Sequence, residues 1–541
     1  MDSMNMKSLI NRGRARFFRE IARWENNRRI RALAGEVRRS QPAGESLKPV
    51  VMFNASTRLS GVSLNAAYAM LTGWSLRMKG IPIIHFVCRR GMSRCVLGTN
   101  KMNLAARPPC EACIQQSRSI YHEADMREFV YKPDPGIAVD ISDLSLDDLS
   151  AYEYQGIPAG RLALPSLRWI LRRHHQPDDE STRSLLREYI LSAVHVTHEF
   201  GALLDDVQPS CVVVFNGMFF PEAAARWAAQ QRGLRVITHE VGLMPFSGYF
   251  TPGQATAYPI DIPAGFVMSE TQNQRLDDYL TKRFQGNFTM AGIRFWTEMK
   301  ALNPSFWERV RGYRQIVPVF TNVVFDTSQG HANVLFPQMF AWLDQVLGLI
   351  RSHPETFFVI RAHPDEIRVG KASQESVAQW VEKNGVRGLP NVLFVDAGEP
   401  FSSYELILQS KFVMVYNSTI GLEASILGRP VLCGGKARFT QIPTVFFPKS
   451  AEDYQRKAVE FLTADRVEQP PEFKENARRF LYYQLFKTSL PFEQYLTEDR
   501  FWRGYVDIKN FSLRDLLPEE SATFRTIHDG LFHNGKFLLE E

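Results

Sequence analysis

The chain has 541 residues, 45% of them apolar and 23% charged. That length and balance give a globular protein of more than one domain and exclude a disordered chain. Its net charge of +6 is uneven, since residues 1–40 carry eleven Lys and Arg against four acids and the rest sums to −1, so the body shows no basic face for tracking phosphates and no nucleic-acid partner is expected.

Residues 1–45 are read as a basic amphipathic segment, helical over 7–40. Ile10, Phe17, Ile21 and Trp24 recur on one stripe and Arg fills the other faces. Such a stripe suits an anionic membrane surface, or it packs on the protein's own body, and both readings stand at this point. No apolar run of 7–15 residues precedes a small-residue cleavage site, and the longest apolar stretch, residues 211–220, is about half of the ~20 residues a membrane span needs. The expected location is the cytoplasm, peripheral on the inner face of the plasma membrane.

Residues 46–300 open a β–loop–α–β pattern: a strand at VVMFNAS, a helix from Asn65 to Lys79, and a strand at IPIIHFVC. The pattern returns with a strand from Cys211, a helix from Pro221 to Arg232 and a strand from Leu234 to Thr238. Residues 132–156 between them read as a surface loop or insertion. Residues 301–470 hold a second series: a strand at IVPVF, a helix from Ala332 to His353, strands at TFFVIRAHPDE, NVLFVD and FVMVYNSTIG, a helix from Gly421 to Leu427, and a strand at PVLCGG. Two such series predict two doubly wound, Rossmann-like α/β domains facing one another across a cleft. The aromatic-rich tail 471–541 is expected to be helical and to brace the first domain.

Four of the six cysteines cluster as Cys88, Cys95, Cys110 and Cys113. Buried thiols are one reading; a structural zinc held by four thiolates is the other, supported by the two-residue gap of Cys110 and Cys113 and weakened by the six-residue gap of Cys88 and Cys95. A redox role is less favoured, because CEAC follows two prolines in a polar stretch that is not expected to open a helix.

Ligands of open α/β sheets sit beyond the carboxyl ends of strands. There the chain places His363-Pro364, then Asn417-Ser418-Thr419 with Gly421 and Glu423 on the following helix, and Thr321-Asn322 in the second series. In the first series it places Asn216-Gly217 and Glu240-Val241-Gly242. Hydroxyls and N–H groups at a helix start can receive an anion, His363 can donate to a departing phosphate, Glu423 can reach a ribose, and Glu240 is a carboxylate at a glycine turn. Each also has a structural alternative as a cap, a loop proline neighbour or an ion-pair partner.

AHPDE followed about fifty residues later by YNSTIGLEASILGRPVLCGG resembles the nucleotide-binding half of GT-B glycosyltransferases, particularly the capsule polysaccharide synthesis proteins that transfer Kdo, and more distantly the bacterial sialyltransferases. The resemblance implies a CMP-activated donor, an acidic-x-Gly motif at Glu240 and Gly242, an HP motif at His363 and Pro364, and a Ser/Thr motif at Ser418 and Thr419. The HP and Ser/Thr pairing is also similar to CDP-glycerol phosphotransferases. Glu240 is the candidate base for the acceptor hydroxyl or, in a retaining enzyme, a nucleophile or an orienting group, and His363 is the candidate catalytic donor; no catalytic metal is expected, since Asp178-Asp179 and Asp205-Asp206 lack a metal-site context. The expected partners are a nucleotide-sugar and a surface-glycan or lipid-linked acceptor. A UDP- or GDP-hexose transferase, a CDP-polyol phosphotransferase and a non-catalytic scaffold are the competing readings.

Overall fold

The computed structural model describes residues 3–42, 47–55, 61–284, 301–502, 504–533 and 535–541, with side chains from residue 17 onward. The chain divides into two compact units, one of residues 1–166, 178–255 and 486–541, the other of 167–177 and 256–485. The division falls at 255/256 and 485/486, where the sequence reading puts 301 and 471. Residues 256–284 go with the second unit because the helix Glu270–Phe284 packs on the helix Pro471–Tyr482 of that unit.

In the first unit the strands are β1 (Val50–Asn54), β2 (Val62–Ser63), β3 (Ile83–Cys88), β4 (Asp125–Phe129), β5 (Cys211–Phe215), β6 (Val236–Val241) and β7 (Ser247–Thr251). The second unit contributes β8 (Gln315–Phe320), β9 (Thr356–Arg361), β10 (Val392–Val395), β11 (Val413–Val415) and β12 (Val431–Cys433), and the first unit resumes with β13 (Leu490–Pro491), β14 (Leu496–Glu498) and β15 (Tyr505–Ile508). The first sheet runs β13-β7-β6-β5-β1-β3-β4, parallel from β6 to β4, with β7 and β13 added antiparallel. The second runs β10-β9-β8-β11-β12 and is parallel throughout. Its strands are continuous buried apolar runs, as a sheet covered on both faces demands. Chain order reverses direction between β8 and β11 in this sheet and between β1 and β5 in the first, so each unit is doubly wound with its own switch point.

Several expected elements differ. The predicted helix 332–353 is shorter, Met339–Ser352, because Pro337 breaks the pattern and Gln338 caps the new start by accepting from Phe340 N–H. Residues 132–156 are not a plain loop: Asp134 and Ser145 cap two short helices, Pro135–Asp140 and Leu146–Ala151. The tail is only partly helical. After Pro471–Tyr482 it supplies β13, β14 and β15 and the helix Ala522–Phe532, and Leu490, Phe492, Tyr495, Val506 and Ile527 are buried in the first unit's core with Tyr68 and Trp74.

The first helix, Ser3–Ser40, serves two environments. Ile30, Leu33, Ala34 and Val37 lie in the core of the first unit. Asn26 is buried too, donating to Val506 O and accepting from Ile508 N–H, so its amide pairs with β15 as a neighbouring strand would. Phe17 and Trp24 remain exposed at 63% and 58%, and Ile10 lies outside the described side chains. Among the described residues no helix is long and apolar enough to cross a membrane.

Ile30→Ala removes a side chain with no exposed surface and is expected to destabilise the first unit by about 2–4 kcal/mol, whereas Trp24→Ala should change stability by less than about 0.5 kcal/mol. Urea unfolding of the two variants checks the division of the helix; equal effects would contradict it.

Candidate functional site

Four of the five strands of the second sheet, all but β10, end at one cavity of about 520 Å³. After β8 come Asn322, Asp326 and Ser328; after β9, His363 and Asp365; after β11, Asn417, Ser418 and Thr419; after β12, Lys436 and Arg438. Thr256 and His331 also line it, joined to each other at 2.8 Å. At the switch point Asn322 Nδ2 donates to Asn417 Oδ1 at 2.8 Å, and Asn322 Oδ1 accepts Val323 N–H. The two asparagines therefore fix the spacing of the β8 and β11 loops.

His363 caps the turn Pro364–Ile367, with Nδ1 accepting Asp365 N–H at 3.1 Å. That bond places the imidazole proton on Nε2. Burial pulls the His363 pKa below its usual value, against the opposing charges of Asp365 and Asp326, so the ring is a neutral N–H donor. Pro364 holds the first position of this turn. Glu366, which ends the AHPDE run, reaches back to accept Val377 N–H at 3.1 Å and is itself buried, and burial pushes its carboxyl up to about 8.

Ser418 and Thr419 precede the helix Ile420–Ile426, and Thr419 makes no side-chain cap bond. The capping alternative thus does not account for its hydroxyl. Gly421 lies against the sheet, where a Cβ would come within 2.9 Å of Val415, so its role is close helix packing. Thr321 is buried and donates its hydroxyl to Arg361 O at 3.0 Å, joining β8 to β9 below the cavity. Glu423 does not reach the cavity either: Arg283 Nε donates to Oε1 at 2.9 Å and Tyr404 OH to Oε2 at 2.5 Å, a buried ion pair that fixes the helix and leaves no carboxylate for a ribose. The sequence reading missed Asp326, Asp365, His331, Lys436 and Arg438. The strand-end rule reaches Lys436 and Arg438 when applied to β12 as it is to β9 and β11.

In the first unit Glu240 ends β6 and Asn216 follows the adjacent parallel β5. Asn216 Nδ2 donates to Glu240 Oε2 at 2.7 Å and Val241 N–H to Oε1 at 2.9 Å. Asn216 and Gly217 both have positive φ, 58° and 79°, and the Asn216 side chain closes its own turn on Met218 N–H. Gly242 cannot carry a side chain, because a Cβ would lie 2.3 Å from Ser247 Oγ. The carboxylate is therefore held by two donors at a tight turn.

Cys88, Cys95, Cys110 and Cys113 border one small void. Contrary to the sequence expectation, CEAC does open a helix, Cys110–Ile120, because Pro109 stands at its N-cap, where a missing N–H costs nothing. Burial pushes Cys88 and Cys95 up to about 12, which leaves them protonated and poor nucleophiles. The acidic pairs are structural: Asp179 caps the helix Glu180–Val207, Asp178 pairs with Arg183 and Asp205 with Arg232.

Residues 308–460 match the family model described as capsule polysaccharide biosynthesis protein, so the resemblance carried by AHPDE and YNSTIG extends across the whole second sheet. Among solved structures, the β-Kdo 2,4 transferase KpsC of Thermosulfurimonas dismutans is 14% identical, with a TM-score of 0.35 over 52% of this chain and 80% of that one. The β-Kdo 2,7 transferase of the same KpsC gives 12% and 0.32 over 61% and 89%. The UDP-GlcNAc 2-epimerase of Neisseria meningitidis gives 13% and 0.22 over 81% and 99%. No curated protein sequence matches the chain.

A raised carboxyl is most stable below its unfolded value and loses stability as pH rises through its folded one. Stability of the second unit is therefore expected to fall between about pH 4.5 and about 8 on account of Glu366. Glu366→Gln should flatten that dependence, as denaturation at pH 5 and pH 8 would show; an unchanged slope would place its origin elsewhere.

Proposed function

We propose that the protein is a glycosyltransferase that moves a sugar from a nucleotide-activated donor to a surface-glycan or lipid-linked acceptor. The observation that carries the proposal is the convergence of four strand ends of the second unit on one polar cavity, inside the segment that matches the capsule-synthesis family model. The His363 Nε2–H, the Ser418 and Thr419 hydroxyls and the Lys436 and Arg438 cations stabilise the phosphate that departs as the glycosidic bond breaks, an electrostatic role that asks for no metal. Asp326 and Asp365 are acceptors for ribose or base N–H groups, the task that Glu423 is unable to perform. Two cations match the roughly two negative charges of a departing nucleoside monophosphate, which favours a CMP-linked acid of the Kdo type over a UDP- or GDP-hexose. Glu240, held by Asn216 in the first unit, is the proposed base for the acceptor hydroxyl. A CDP-polyol phosphotransferase would use the same anion groups.

A thermal-shift series with CMP, CDP, UDP and GDP tests the donor class: selective stabilisation by CMP is expected, and no response to any at millimolar concentration would favour a non-catalytic scaffold. His363→Ala should lower turnover on the order of 10²-fold with the fold intact, and Glu240→Gln should keep nucleotide binding while abolishing transfer. Near-wild-type turnover of either variant would remove its residue from the mechanism.

A lipid-linked acceptor agrees with the exposed half of the first helix. Phe17, Phe18 and Trp24 are exposed there, Arg19 stacks over Trp502 at 5.1 Å, and Phe501 and Trp502 are exposed beside it. Aromatic rings among the net +7 of residues 1–40 complement an anionic headgroup layer. Wild-type protein is expected to sediment with phosphatidylglycerol-containing vesicles, less so as salt rises, and Phe17→Ser with Trp24→Ser to weaken that binding. Deletion of residues 1–40 is not a clean test, because it removes Ile30 and Val37 from the core. Indifference of vesicle binding to the two substitutions would refute the membrane contact.

A further inference from the structure

The four clustered cysteines stand outside the proposed reaction, and they share one environment. Cys88 ends β3, Cys95 lies in the following loop, and Cys110 and Cys113 occupy the first turn of the helix Cys110–Ile120. None of the four is in a disulfide, and all four border a void of about 30 Å³, room enough for a single ion or water. Met92, Leu97, Pro108 and Ile114 wall it with apolar surface.

The backbone is arranged toward the sulfurs. Gly91 N–H donates to Cys88 Sγ at 3.1 Å and Gly98 N–H to Cys95 Sγ at 3.2 Å, the same three-residue turn made twice. Neither glycine tolerates a side chain: a Cβ at Gly91 would lie 2.2 Å from the Phe129 ring, and one at Gly98 2.8 Å from the Cys95 sulfur. Each of these N–H groups fixes the position of one sulfur. Cys110 and Cys113 bring two more sulfurs from one helical turn.

We propose that Cys88, Cys95, Cys110 and Cys113 form a structural site for one tetrahedral zinc ion. Ligation replaces four S–H bonds by four Zn–S bonds and releases the protons to solvent, with no redox step. Zn–S distances of about 2.3 Å set sulfur separations near 3.8 Å. No three of the four sulfurs lie within 4.8 Å of one another; among the described residues only His528, Asp529 and His533 bring ligand atoms that close, on the exposed end of another helix. The proposal therefore requires the loop of residues 89–109 to tighten around the ion. That loop follows β3 at the same carboxyl edge of the first sheet from which Asn216 and Glu240 project. The ion would act as a staple between the end of β3, the loop that follows it and the first turn of the helix Cys110–Ile120.

The test uses full-length protein purified without chelator. About one zinc per chain is expected, with an X-ray absorption edge fitted by four sulfurs, and Cys95→Ser and Cys113→Ser should each lose the metal. His528→Ala with His533→Ala should retain it. Because a cysteine variant can fail to fold, the wild-type protein is also stripped with chelator and titrated with zinc chloride, which should restore the lost thermal stability. Metal-free protein with four titratable thiols, a Cys110–Cys113 disulfide by mass spectrometry, or zinc with a nitrogen and oxygen shell would each overturn the proposal.

Discussion

The hydrogen bond between Asn322 and Asn417 spans the point where the second sheet reverses its winding, and the cavity is built around it. Parallel register leaves all five strands ending on one edge, but the helices that follow β8 and β11 depart to opposite faces and the two loops would splay. Pairing Asn322 with Asn417 holds the gap at one width. His363 is aligned by the next strand over, since β8 and β9 match Phe320 with Arg361, and Thr321 ties the same two strands one residue further on. Side chains from four strands thus depend on backbone register, which is more rigid than any loop contact.

Burial divides the charged groups of this unit into two kinds. Arg283 and Glu423 are almost wholly enclosed and satisfy each other together with Tyr404. Removing either partner would strand a buried charge, a loss of about 3–5 kcal/mol, so this pair is committed to structure. Asp326 and Lys436 are exposed and Arg438 is half-buried over the Tyr258 ring. Those groups keep much of their hydration, so unlike the buried pair they are not committed to structure.

Much of this was legible in the order of residues. The strands around Val51, Val213, Val317, Phe358 and Met414 are short β-branched or aromatic runs bounded by polar turns, and the period of the intervening helices sets the α/β class. The long helix Glu180–Val207 escapes the same reading because Val194-His195-Val196 alternates as a strand would. His363, Ser418 and Thr419 are found by their place after a strand, which is a local property. Glu423 satisfies the same spacing argument and is nonetheless structural, because its partner Arg283 lies 140 residues away in sequence. Spacing describes one element; the partner comes from tertiary packing, to which a motif is blind.

The first unit is discontinuous in the chain, and this bears on how the protein is made. Its β13 and β15, and the buried helix Ala522–Phe532, come from residues beyond 485, after all of the second unit. At roughly 5–20 residues per second of synthesis, the first sheet waits on the order of tens of seconds with its β7 edge unpaired and with Tyr68 and Trp74 lacking the partners that cover them. The second unit, almost continuous, can close during that interval. Nascent chains therefore pass through a stage in which the unit bearing Glu240 and the cysteine loop lacks its last strands, and a ribosome stalled before residue 486 would leave that unit incomplete while the second could be closed.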